Sequence, residues 1–185
     1  MGEKRIIGID PGTNVLGYAL IEVSGQSIKL VNLGVVKMAH LNSQAEKLQR
    51  IYERVTKLIE VYSPHSMAVE APFYGKNVQS MLKLGRAQGV ALAAGFQHRL
   101  SVYEYSPKQI KLSVTGNGNS SKEQVAGMVA HLSGNKLNEK FLDATDALAV
   151  AICHHLRTGD GNLGKKVSSG RFSSWKDFAR SRGKA

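Results

Sequence analysis

A single cysteine, Cys153, stands among 185 residues, which excludes an internal disulfide framework and fits a reducing compartment. With no Cys-x-x-Cys pair, a structural zinc site is not expected: His154 and His155 adjoin the cysteine but point to different helical faces, and His40, His65, His98 and His131 show no ligand spacing. Cys153 reads as a small core residue. No apolar run approaches the roughly eighteen residues that would span a bilayer, and Met-Gly-Glu-Lys-Arg leads straight into the first strand. Met1-Gly2 is not a myristoylation start, because Ile6 stands where serine or threonine belongs. The expectation is a cytoplasmic protein with no membrane partner. Acid is scarce as well. Fourteen Asp and Glu face 25 Lys and Arg, giving a net charge of +11 and a pI near 9.8, so the expected partner is a polyanion, nucleic acid above all.

What is present suffices for one domain. The length and a hydrophobic content of 42% support a single well-cored unit and leave no room for two full α/β domains. Arg5 to Asp10 reads as a buried strand, followed by antiparallel strands over Gly17 to Val23 and Ser27 to Met38. Leu48, Ile51, Val55, Leu58, Ile59 and Tyr62 repeat at helical spacing, with Ser43 as N-cap and Pro64 beyond the end. Ser66 to Glu70 is a short strand that the helix returns parallel to the first, which sets Asp10 and Glu70 side by side. Residues 77 to 98 form a helix rich in small residues. Gly85 and Gly89 within it mark either close packing onto the sheet or an interface with a second copy. A fifth strand over Ser101 to Tyr105, a short helix over Pro107 to Val114, a helix from Lys122 to Leu132 and a last one carrying Ala144 to His155 complete the fold. The domain is expected to end near residue 157, and 158–185 to be a flexible basic Gly/Ser-rich tail, either solubilising or ordered on nucleic acid.

The chemistry lies in four acids. Ile-Ile-Gly-Ile-Asp10 and Ser-Met-Ala-Val-Glu70 each end an apolar run in a carboxylate, and Asp143-Ala-Thr-Asp146 opens a helix with two acids on one face. Bare carboxylates repel the phosphates that a basic surface attracts. Divalent cations with oxygen ligands, Mg2+ above all, reconcile the two, and the combination points to metal-dependent phosphodiester cleavage. Two ions roughly 3.5 to 4 Å apart would activate a water and stabilise the leaving 3′ oxygen. Asp10 is the candidate bridge, with Glu70 on one side and the Asp143/Asp146 pair on the other. Phe73 and Tyr74 follow Pro72 after a carboxylate-bearing strand, where an aromatic either stacks on bases or caps the next helix. Lys76, Lys83 and Arg86 are phosphate contacts or a solvated helix face.

The order of elements looks like a ribonuclease H-like fold, a five-stranded mixed sheet flanked by helices. Within it the chain resembles the RuvC family of Holliday-junction resolvases. The resemblance rests on Gly-Ile-Asp10-Pro-Gly-Thr, Ala-Val-Glu70-Ala-Pro-Phe73-Tyr-Gly-Lys-Asn77, Leu-Lys-Leu-Gly85-Arg-Ala-Gln-Gly89, Tyr105-Ser-Pro-Lys-Gln-Ile-Lys111, Gly116-Asn-Gly-Asn-Ser-Ser-Lys122 and Asp143-Ala-Thr-Asp146-Ala-Leu-Ala, in family order over residues 5 to about 155. It implies that Asp10, Glu70, Asp143 and Asp146 are the catalytic, metal-binding carboxylates. Some members are described with a histidine at the place of Asp143. The resemblance also implies that Phe73 wedges against bases, that Lys111 and Lys122 lie near the scissile phosphate, and that Mg2+, with Mn2+ as a substitute, is the cofactor. The implied activity is a homodimer cutting four-way junction DNA by paired symmetric nicks in recombination and repair, with RuvA and RuvB as branch-migration partners, in the bacterial cytoplasm at the nucleoid. Three other readings stay in view. They are a non-catalytic junction-binding protein, an RNA-processing nuclease of the same fold, and an actin-like ATPase, whose two phosphate loops this length does not accommodate.

Overall fold

The computed structural model describes residues 3–72, 77–134 and 142–158, with the side chains of Leu142 and Asp143 outside that description. The chain runs β1 (Lys4–Asp10), β2 (Val15–Ser24), β3 (Ser27–Lys37), α1 (Gln44–Tyr62), β4 (Ser66–Glu70), α2 (Val78–Gln97), β5 (Ser101–Tyr105), α3 (Pro107–Thr115), α4 (Lys122–Leu132) and α5 (Leu142–Thr158). Every expected element is present, with ends shifted by a residue or two. Among the described residues no helix is long and apolar enough to cross a membrane.

The five strands form one mixed sheet in the order β3-β2-β1-β4-β5. β2 pairs antiparallel with β1 and β3, while β4 lies parallel to β1 and β5 parallel to β4. This is the expected ribonuclease H-like arrangement. Strand periodicity splits the core into two layers, because alternate side chains leave opposite faces of the sheet. Ile7, Ile9, Met67 and Val69 pack with α1 and α2, whereas Ile6 and Ala68 pack with α3, α4 and α5. Asp10 has the parity of Ile6, and Glu70 that of Ala68, so both carboxylates emerge on the α5 side. The register Ile9↔Val69 brings the two strand ends level.

Close approach of α5 depends on Gly8. A Cβ there would lie deep inside contact distance of the Ala147 carbonyl oxygen and 2.8 Å from Ala151 Cβ, so only a residue without a side chain lets the helix settle on β1. The glycines of α2 divide differently from either simple expectation. Gly95 packs on the sheet, where an added Cβ would come within 3.0 Å of Met67 Sδ, but Gly85 and Gly89 face open space. Packing onto the sheet therefore does not explain Gly85 or Gly89.

Candidate active site

Asp10 and Glu70 meet where β1 and β4 end, and Asp146 approaches them from the first turns of α5. Asp10 and Glu70 line a cleft of about 120 Å³ whose other walls are Pro11, Ala71 and Pro72 from the strand ends, with Leu84 and Gln88 from α2. The crowding is electrostatically costly. Burial pushes Asp10 up to about 8, with the Glu70 and Asp146 charges adding to the rise and Lys122 opposing it. Burial and the Asp146 charge raise Glu70 as well, while its hydrogen bond to Asp10, Lys122 and Lys111 pull it back. The bond between the two side chains favours a proton on Asp10 and charge on Glu70. One proton thus stands in for positive charge that the site lacks.

Lysines supply part of that charge. Lys122 Nζ lies 2.9 Å from Asp146 Oδ2, a pair whose lysine end is largely solvated. Its position is set locally. Ser121 and Gln124 form a reciprocal capping box at the start of α4, and the preceding loop is closed by Thr115 Oγ1 against Ser120 Oγ at 2.7 Å. Gly116 turns that loop at φ +75, and Gly118 lets it pass over the Lys108 side chain. Lys111 is carried by α3, whose own capping box joins Ser106 and Gln109, and its charge reaches Glu70. Both lysines named from the sequence therefore surround the carboxylates.

Asp143 lies in the first turn of α5, with its side chain outside the described residues. Phe73, Tyr74 and Lys76 also lie outside them, as does the basic tail from residue 159. Lys83 and Arg86 are exposed on α2. Gln88, which sequence reasoning missed, is buried in the cleft wall, and its Nε2 donates to Glu104 on β5 at 2.5 Å. No sequence signal sets it apart from the other polar residues of α2.

The donor set suits a hard divalent cation. It is all oxygen, it carries more negative charge than its surroundings neutralise, and one member retains a proton that a cation would displace. Among the described residues no three acidic or imidazole groups already close into a cage, and the Asp146 carboxylate is turned toward Lys122.

A family model described as crossover junction endodeoxyribonuclease RuvC matches residues 6–154. The crossover junction endodeoxyribonuclease RuvC of Cytophaga hutchinsonii is 50% identical over 178 residues, covering 96% of this chain and 86% of the relative. That of Bacteroides fragilis is 46% identical over 178 residues, covering 95% and 92%. Among solved structures, Thermus thermophilus RuvC superposes with a TM-score of 0.76 at 34% identity, over 84% of this chain and 96% of that one. T. thermophilus RuvC in complex with Holliday junction substrate gives 0.80 at 33% identity, over 85% and 96%. Matched over most of its length by both the family model and close relatives, the chain belongs to the RuvC family of crossover junction endodeoxyribonucleases.

Proposed function

We propose that this chain is a structure-selective endonuclease that resolves Holliday junctions by paired symmetric nicks, in DNA recombination and repair. The observation that carries this reading is the convergence of the Asp146 charge on Asp10 and Glu70, which line a cleft in a strongly basic protein. Negative charge in a DNA-facing pocket weakens binding unless a cation is to be held there, which disfavours a purely junction-binding role. The names of its relatives supply the reaction class, and the junction complex of the Thermus protein supplies the substrate.

Asp10, Glu70, Asp146 and Asp143 are the residues that would hold two divalent ions, Mg2+ with Mn2+ as a substitute. When bound, the ions supply an activated water and charge compensation for the leaving 3′ oxygen. The chain's own residues do the rest. Asp10 would give up its proton to a bound cation, Lys122, released from Asp146, would offer its charge to the phosphate, and Lys111 adds positive charge on the Glu70 side. Phe73 is assigned to wedging against bases at the crossover. Partners of the RuvA and RuvB type and a cytoplasmic, nucleoid-associated location follow from family membership alone.

A homodimer completes the reading. Two like sites related by a two-fold axis suit the approximate symmetry of a four-way junction. Support comes from α2, where Val78, Leu82, Gly85, Gly89 and Phe96 recur at steps of four, three, four and seven residues on an exposed face. Val78 is 67% exposed, Leu82 59% and Phe96 61%, an unusual concentration of apolar surface on one helix. Each interior glycine costs roughly 1 kcal/mol relative to alanine, and a facing backbone from a second copy would recover it. Leu82→Glu is expected to sediment as a monomer under conditions in which the unsubstituted chain sediments as a dimer, and to nick a junction once rather than twice. A dimer that persists in this variant would move the interface elsewhere.

The direct test offers the protein a labelled mobile four-way junction and a matched linear duplex, with Mg2+ or with EDTA. Symmetric nicks confined to the junction and abolished by EDTA are expected. Tight junction binding without cutting would favour the non-catalytic role, and indifference to junction structure would favour an RNA-processing nuclease.

A further inference from the structure

The chemistry above leaves unused a buried imidazole at the far end of α5 from Asp146. His154 is 3% exposed, yet both its nitrogens are engaged: Nε2 lies 3.0 Å from Ser66 Oγ and Nδ1 2.8 Å from the Tyr105 hydroxyl. Tyr103 packs on the ring with centroids 4.4 Å apart. One α5 side chain thus reaches the first residue of β4 and two residues of β5. Burial, aided by His155, pushes its pKa down to about 4, so the ring is neutral near pH 7. One nitrogen then donates and the other accepts, and the two hydroxyls take the complementary roles.

The spacing gives this contact its meaning. Four steps of strand separate Ser66 from Glu70, about 13 Å. Eight helical residues separate Asp146 from His154, about 12 Å. α5 therefore runs antiparallel to β4, with Asp146 by Glu70 at one end and His154 over Ser66 at the other.

We infer that His154 is a positioning residue, whose hydrogen bonds to Ser66 and Tyr105 set the axial register of α5 and so bring Asp146 to Asp10 and Glu70. The inference rests on the carboxylate reading given above and adds what holds the site in place. The need for such a device lies in the face that α5 turns to the sheet, which includes the small buried residues Ala144, Ala147 and Ala151. Apolar contact is non-directional, so although Leu148, Ile152 and the seat on Gly8 hold α5 against the sheet, the hydrogen bonds of His154 add a directional restraint along the helix axis. A slip of one residue moves the helix about 1.5 Å and turns it about 100°. Metal ligation tolerates roughly 0.2 Å. A bond to Ser66 at the far end of β4, and one to the hydroxyl of Tyr105, whose backbone pairs with Glu70, therefore bear on where α5 sets Asp146.

His154→Phe keeps an aromatic ring against Tyr103 and removes both hydrogen bonds. Its cation affinity, measured by calorimetry with Mn2+ on the full chain without DNA, is expected to fall roughly tenfold, as for other groups that orient metal ligands at second hand. The metal concentration for half-maximal cleavage should rise by a similar factor, with junction Kd within twofold and faster amide exchange in the first turns of α5. His154→Asn, which can restore the bond to Tyr105, should recover part of the loss. Unchanged cation affinity alongside a lower melting temperature would overturn the inference and leave His154 purely structural. If His154→Phe does not fold, the Ser66→Ala/Tyr105→Phe double variant carries the same test: weakened cation affinity upholds the inference and unchanged affinity overturns it. Asp146→Asn separates the two levels. If it too leaves cation affinity intact, the carboxylate reading falls together with the inference; if only the His154 variants do, the inference falls alone.

Discussion

Asp10→Asn is expected to abolish junction cleavage, by roughly a thousandfold or more, while leaving junction binding intact or tighter and making the metal-free protein more stable near neutral pH. Catalysis and stability part company here because the site is built against its own electrostatics. Asp10 is driven up to about 8 by burial first and by the Glu70 and Asp146 charges second. A folded-state pKa above the ordinary value of 3.8 means that the native state holds the proton more tightly than the unfolded chain. The corresponding stabilisation is fully present below about pH 4 and is lost as pH rises through about 8. An amide carries no charge at any pH, so the advantage of Asp10→Asn over the unsubstituted protein should widen across that window in EDTA. Urea unfolding at pH 5, 7 and 9 measures it. Saturating Mg2+ should reverse the order, since only the carboxylate gains from the cation. A variant that cuts normally would remove Asp10 from the chemistry. Parallel loss of cleavage and binding would make it a structural residue.

Gly8→Ala is expected to cost about 1–3 kcal/mol of stability, toward the upper end, and to lower cleavage at least tenfold in the fraction that remains folded. The added methyl would meet the Ala147 carbonyl oxygen and Ala151 Cβ, and helix backbone cannot rotate away as a flexible side chain could. α5 must lift from β1, and Asp146 travels with it. The loss should therefore appear in the turnover rate and in metal dependence more than in junction affinity. Single-turnover cleavage at several Mg2+ concentrations, paired with thermal unfolding, separates the two effects. A variant that is destabilised but cuts at the normal rate per folded molecule would show that the seat of α5 on Gly8 does not govern the site.

The two β-borne carboxylates were legible in the sequence because an acid at the end of an apolar run has nowhere to go but the strand terminus. Parity and a helical return between β1 and β4 then made Asp10 and Glu70 neighbours. The strands and helices themselves were equally legible, since their apolar periods are long and their breakers clear. What escaped was long-range. Nothing near Lys122 announces that it will pair with Asp146, 24 positions away. His154 stands beside a cysteine and was weighed as a metal ligand, whereas its partners Ser66 and Tyr105 come from strands 88 and 49 positions distant. The capping boxes of α3 and α4 were present as Ser-x-x-Gln patterns and passed unnoticed within longer motifs. For Gly8, Gly85, Gly89 and Gly95, composition alone could not say which approach helix or sheet and which face solvent, because that depends on which helical face the fold turns inward.

α2 serves two masters. Leu84 and Gln88 form a wall of the carboxylate cleft, while Leu82, Gly85 and Gly89 lie on the face proposed to meet a second copy. The two faces are one residue apart along the same turn, so whatever steadies one steadies the other. Dilution of a dimer joined on that face would do more than uncouple a second cut from a first. If a second copy docks there, each separated subunit would keep all its acids but lose the brace behind its cleft, and concentration itself would become a control on how well a lone site works.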